Sequence, residues 1–303
     1  MPANSYSETI MNIDNITTPR APRCWVVLDL ESAVLDDTAH KRYQAMERWV
    51  PSADKPSRRG YLRSEDPLTC PRWIFQTVTS ASAMVLIEHI DGGADVLAFE
   101  TFSAPDLDER GVVAGLLKLL GDAPPNAELA SYAGSAHDIP MLVLAACRLG
   151  LTIPPRWRWM AYNCGDPKRH FDFARHVTGG LRMNLVHMAE IAAALDIPAK
   201  ISVPAAAVAK LIKAGRWGDV VEAVEGDVIT LALLLARWRK LSDVDADPVI
   251  VEDRILRRII ELRPGRRYVA ALEMHRHRRF SAQYATAAND AKTLAPWLDQ
   301  DAA

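Results

Sequence analysis

Long apolar runs are missing from this 303-residue chain: no stretch reaches 18 uncharged apolar residues, and residues 1–22 contain no apolar h-region. A membrane helix needs about 20 such residues and a secretory signal needs its h-region, so neither is expected. Cysteine is scarce as well. Cys24, Cys70, Cys147 and Cys164 stand far apart with no CxxC pair. That spacing argues against a disulfide framework or a zinc finger and points to a reducing, cytoplasmic setting. Nor is there an excess of positive charge, since 36 Lys and Arg against 38 Asp and Glu leave a formal net charge of −2. Any contact with nucleic acid must therefore come from local basic patches rather than from a global field.

What is present is enough apolar material, 49% of residues, for one large core. Residues 1–22 are polar and rich in Ser, Thr, Asn and Pro, which reads as a flexible leader. CWVVLDL, residues 24–30, is a short apolar run ending in an acid, the pattern of a buried central strand. Residues 51–71 are broken by prolines and carry arginines, and read as a surface excursion. WIFQTVTSASAMVLIEHI, DGG and ADVLAFETF read as two strands joined by a turn. LDERGVVAGLLKLLGD has helical spacing, AELASYA is strand-like, and HDIPMLVLAACRLGL, MNLVHMAEIAAALDIPAK, VPAAAVAKLIKAGRW and residues 219–241 read as further helices. The expectation is a mixed α/β domain over 23–243, with residues 244–303 as a helical, basic appendage.

Four acids interrupt or end apolar runs: Asp29 and Glu31 in VVLDLES, Asp138 in YAGSAHDIPML and Asp227 in VEGDVITLALLLARW. Asp29 and Glu31 are two apart on a strand, so they share a face while Leu30 points the other way. Carboxylates clustered without cations repel and raise one another's pKa, so convergence of all four implies bound Mg2+ or Mn2+. Two such cations suit phosphodiester hydrolysis. Taken singly, each acid has a simpler reading: Asp138, ahead of Pro140, is also a helix cap. Asp227 follows Gly226, and the missing side chain there suggests a close neighbour.

VVLDLES, YAGSAHDIPMLVLAACRLGL, HFDFARHVTGG, MNLVHMAEIAAALDIPAK and AGRWGDVVEAVEGDVITLALLLARW, in that order over about residues 24–241, resemble the motifs of the DEDD exonuclease superfamily. The likeness is to the predicted 3′-to-5′ exonucleases related to the proofreading domain of family B DNA polymerases. It implies a ribonuclease H-like fold, a mixed sheet flanked by helices, with two divalent cations and single-stranded 3′ ends of DNA or RNA as partner. By position Asp29 and Glu31 match the first motif, Asp138 the second and Asp227 the third. Asp172 matches a fourth-segment acid of structural or substrate-linked role, and Lys200 a lysine that contacts phosphate.

The departures concern the residue that orients the attacking water. The tyrosine four residues before the third-motif Asp is here Ala223, and the alternative histidine, five before, is Glu222. Glu222, Glu225, His137 and the weaker candidates His170, His176 and His187 are possible substitutes, or the domain binds nucleic acid and cleaves slowly. Where the second motif usually carries Asn-Gly and Phe-Asp, this chain has Ala133, Gly134 and His137 beside Asp138, and Gly134 and His137 are its candidate substrate contacts. Arg254, Arg257 and Arg258, then RPGRR and HRHRR, are either solvated faces or a strand-holding surface. Trp157 and Trp159 are packing residues or base-stacking platforms.

Overall fold

The computed structural model describes residues 22–48, 72–89, 93–180, 183–201, 208–241 and 247–294. The expected leader, apart from Pro22, and the excursion at 51–71 lie outside these residues. The apolar run becomes strand β1 (Arg23–Ala33), followed by α1 (Thr38–Arg48). β2 (Thr77–Glu88) and β3 (Ala94–Ser103) form the expected hairpin. Then come α2 (Glu109–Asp122), β4 (Ala127–Ser131) and α3 (Asp138–Leu149). A 3-10 stretch (Pro155–Ala161) leads to β5 (His170–Asp172) and α4 (Phe173–Val177). The helical half comprises α5 (Met188–Ala194), α6 (Val208–Lys213), α7 (Trp217–Arg239), α8 (Pro248–Leu262) and α9 (Val269–Leu294).

The five-stranded sheet has the order β3-β2-β1-β4-β5. The β1–β2 and β2–β3 pairs are antiparallel, and the β1–β4 and β4–β5 pairs parallel. β1 is thus central, which explains why Cys24 to Leu28 are all buried: a strand with neighbours on both sides and helices on both faces has no wet face. Its two faces feed two cores. Val26 and Leu28 pack with residues of α2 and α3, among them Leu116, Leu120 and Ile139. Trp25 and Val27 join Met84, Leu86 and Phe99 with residues of α7 and α8.

This alternation decides where the acids go. Asp29 and Glu31 continue the face of Trp25 and Val27, so they emerge beneath α7. α7 is apolar nearly all round and buried from Ala223 to Ala236, as a helix sandwiched between a sheet and other helices must be. Because β1 and β4 are parallel, with Val27 opposite Ala130, the exit of β4 and the loop into α3 lie at the same end of the sheet as Asp29. Open sheets place ligands outside the carboxyl ends of such strands.

The helices after residue 244, expected as an appendage, are tied into the same body. Val251, Ile255, Leu256, Ile259, Tyr268 and Leu272 share one core with Val27, Met84 and Phe99.

Candidate active site

One oxygen each of Asp29, Glu31 and Asp227 lies within 4.8 Å of the others. A β-bulge between Glu31 and Ser32 ends the regular ladder just beyond them. Across that ladder stand Ser82, opposite Asp29, and Ser80, opposite Glu31. Both serines are fully buried and small, which leaves room over the acids. Ser80 Oγ has no hydrogen-bond partner among the described residues, and a buried hydroxyl in that state calls for a water or an ion-bound oxygen.

Asp138 lies outside the trio but within its field. Burial raises the Asp29 carboxyl well above the ordinary range, and the charges of Asp138, Asp227 and Glu31 push it further, against the pull of Lys200. Glu31 is pushed up to about 8, first by burial and then by Asp227. Burial also raises Asp138, against its bond with His137, and Asp227, against Lys200 and His187. Four carboxylates held where their charged forms are disfavoured are a poor fit to solvent alone and a good fit to divalent cations. An all-oxygen donor set selects hard ions such as Mg2+ and Mn2+. A cation there would be held by Asp29, Glu31 and Asp227, with Asp138 beside them.

The loop carrying Asp138 is built by its neighbours. Asp138 does not cap α3: His137 is the N-cap, Asp138 the first helical residue, and His137 Nδ1 sits 3.1 Å from Asp138 Oδ1. Ala133 takes the left-handed conformation at φ 56°, uncommon for a residue with a Cβ. Asp172 holds it there, accepting from Ala133 N at 2.9 Å and from Ser135 N and Oγ. Asp172 therefore positions the second-motif loop. A Cβ at Gly134 would overlap Ser131 and come 3.1 Å from Asp138 Oδ2, so this glycine lets the loop close over the acid. The neighbour expected at Gly226 is Ile201, whose Cγ1 would stand at ordinary contact, 3.6 Å from a Cβ there.

Lys200 donates to both carboxylate oxygens of Asp227, at 2.7 Å to Oδ1. The loop that carries it runs against α7, where Thr230 Oγ1 stands 3.1 Å from Pro198 O and 2.8 Å from Gly226 O with one proton to share between them. His187 lies near enough to help lower Asp227, although its place at the start of α5 gave it little weight in the sequence.

Other candidates are brought elsewhere. Glu222 accepts from Arg267 N at 2.9 Å and Arg267 Nε at 2.8 Å. Glu225 is completely buried and accepts from Thr101 Oγ1, Tyr268 OH and two nitrogens of Arg266, all at 2.8 to 2.9 Å. Both glutamates are thus committed to ion pairs, which corrects the expectation that either is free to orient water. Ala223 is buried against Val208, Leu211 and Ile212 of α6. His170 is buried between Ser131 Oγ and the Cys164 carbonyl, and His176 stacks on Phe171.

The basic segments are largely paired with acids and carbonyls of the chain itself, several of them at the surface. Arg263 donates to the Phe99 carbonyl, and Arg267 reaches Asp219 as well as Glu222. Arg257 and Arg276 pair with Asp253, Arg258 with Glu261 and Arg278 with Asp196. Arg254 is exposed and makes no ion pair among the described residues. Trp157 and Trp159 are buried, and Trp157 Nε1 donates to the Leu120 carbonyl, so they pack. Glu222 and Glu225 in an apolar helix were themselves the signal that counter-charges must arrive from elsewhere in the chain, whereas Asp219 also has Arg216 three residues before it.

A family described as predicted 3′-5′ exonuclease related to the exonuclease domain of PolB matches residues 71–272, about two thirds of the chain. The matched segment contains Asp138, Asp172, Lys200 and Asp227 and runs past residue 244. Asp29 and Glu31 precede it and join the site through the geometry of β1. No curated protein matches the chain.

Proposed function

Because the chain belongs to the family of predicted 3′-5′ exonucleases related to the exonuclease domain of PolB, we propose that it is a metal-dependent 3′-to-5′ exonuclease acting on single-stranded nucleic-acid ends. The observation that carries this reading is the meeting of Asp29, Glu31 and Asp227 within 4.8 Å at the exit of the central strand. When bound, a pair of Mg2+ or Mn2+ ions supplies an activated water and neutralises charge at the phosphate and the leaving oxygen.

The protein's own residues do the rest. Asp29 and Glu31 are fixed by their pairing with β2 at the end of the central strand, and Asp227 by a buried helix, so the acids keep their spacing without substrate. Asp138 completes the set from the loop that Asp172 locks. Lys200, next to Asp227, is placed to take a phosphate oxygen. With Glu222 and Glu225 committed elsewhere, His137 remains as the partly exposed titratable group beside Asp138 that orients water or the substrate backbone. Incubating full-length protein with a 3′-recessed duplex and a labelled single strand, in Mn2+ or EDTA, tests the reading. Shortening from the 3′ end in Mn2+ alone is expected, and an Asp29→Ala/Glu31→Ala variant that keeps full activity would refute the site.

A second reading is favoured by one observation: α6 covers Ala223, where relatives place the water-orienting tyrosine. In that reading the domain is a catalytically weak nucleic-acid-binding or assembly subunit. Strand binding without metal-dependent shortening in the same assay would select it.

A further inference from the structure

Lys200 is unusual in two respects. Its ammonium engages both oxygens of a buried carboxylate, although Asp227 is also one of the three acids of the candidate metal site. Its backbone is left-handed, φ 51°, a conformation that costs a residue with a Cβ and persists only where the surroundings enforce it. The surroundings here are on α7: Thr230 Oγ1 stands 3.1 Å from Pro198 O, and the side chain that Gly226 lacks leaves Ile201 its place beside the helix. A loop with a strained residue thus runs against the helix and sets that residue's ammonium on Asp227. A phosphate contact alone would need only a lysine near the mouth of the site.

The charge balance gives this arrangement a purpose. Asp29, Glu31, Asp138 and Asp227 bring four carboxylates together, and Lys200 is the one side-chain cation within hydrogen-bond reach of Asp227 among the described residues. Without it the metal-free site would hold a buried carboxylate with no counter-charge, which is strongly destabilising. With it, a divalent ion that takes Asp227 arrives beside an ammonium already seated on both carboxylate oxygens, and the two positive charges repel at close range. We propose that Lys200 is a built-in counter-ion that holds Asp227 in the metal-free protein, yields it to the incoming divalent cation, and is thereby released to the phosphate of the strand. The proposal rests on the metal-dependent reading given above. It makes the lysine a positioning residue that raises the metal concentration the site requires and couples metal occupancy to phosphate binding.

The test uses the full chain, freed of metal with EDTA and titrated with Mn2+ alone while free Mn2+ is followed by electron paramagnetic resonance. Lys200→Met is expected to bind its first Mn2+ at least about tenfold more tightly than the wild type, because no cation has to leave. In the wild type, a pulse of acetic anhydride read by peptide mass spectrometry should label Lys200 at least about threefold faster in Mn2+ than in EDTA, as expected for a released surface amine. Equal or weaker Mn2+ binding by Lys200→Met overturns the proposal while leaving the metal site standing. If that variant does not fold, labelling of wild-type Lys200 that ignores Mn2+ overturns it instead. Absence of Mn2+ binding by the wild type removes the metal-dependent reading, and the proposal falls with it.

Discussion

Replacing Glu31 by Gln should stabilise the metal-free protein at alkaline pH, the reverse of what removing a partly buried polar contact usually does. Glu31 is half-buried, and its carboxyl is pushed from 4.5 up to about 8 by burial and by the Asp227 charge. The folded protein thus keeps a proton on Glu31 at pH values where the unfolded chain has already released it. Stability conferred by that difference is lost as pH rises from about 4.5 through about 8, and above that range the ionised site opposes folding. Each pH unit of displacement is worth about 1.4 kcal/mol, which sets a ceiling of about 5 kcal/mol. Water entry and side-chain relaxation reduce this, so about 1–3 kcal/mol is expected at pH 8.5. Urea denaturation in EDTA at pH 5, 7 and 8.5 measures it: the wild type should weaken toward pH 8.5, and Glu31→Gln should weaken less. Saturating Mn2+ should remove the wild type's pH dependence and do little for the variant. A wild type equally stable at pH 5 and 8.5 in EDTA, or a Glu31→Gln variant less stable than wild type at pH 8.5, would refute the argument that these acids are held in mutual repulsion.

Other consequences concern the scaffold around the site. Arg266→Met should cost about 3 kcal/mol by thermal or urea melting, since it strips the bidentate partner from the fully buried Glu225; adding Glu225→Leu should restore most of that loss. Ala223→Tyr should lose about 1–3 kcal/mol by urea melting through overpacking against Val208 and Leu211, and should not raise the rate of strand shortening in a gel assay. Gly134→Ala should lower both melting temperature and Mn2+ affinity, because its methyl overlaps Ser131 and crowds Asp138; calorimetry with Mn2+ reads the second effect.

The parts of this architecture that were legible in the sequence are those carried by local periodicity. The apolar run at 24–30 announced a central strand, alternation set Asp29 and Glu31 on one face, and the β-branched runs about DGG gave the hairpin. What stayed hidden depends on pairs distant in the chain. Lys200 and Asp227 are 27 residues apart, and Glu222 and Arg267 are 45 apart. No local pattern relates such pairs, so the arginines of RPGRR looked like a surface patch and the glutamates of α7 like candidates to orient water. The packing of α8 against β3 was hidden for a related reason. Its stripe of Val251, Ile255, Leu256 and Ile259 is visible at helical spacing, but a stripe does not say which surface it covers.

The arginines at 266 and 267 also bear on the order in which the molecule can be made. A chain built from its N-terminus completes β1, β4 and α7 before residues 263–268 exist, so Glu222 and Glu225 must wait for their arginines, while Asp219 has Arg216 beside it from the start. Burying two bare carboxylates against the sheet is too costly to precede that arrival. α7 can therefore settle onto β1, and bring Asp227 to Asp29 and Glu31, only once the turn before α9 has been synthesised. Assembly of the metal-binding acids is in this way deferred to the last fifth of the chain, and a truncated or stalled product stops short of forming them.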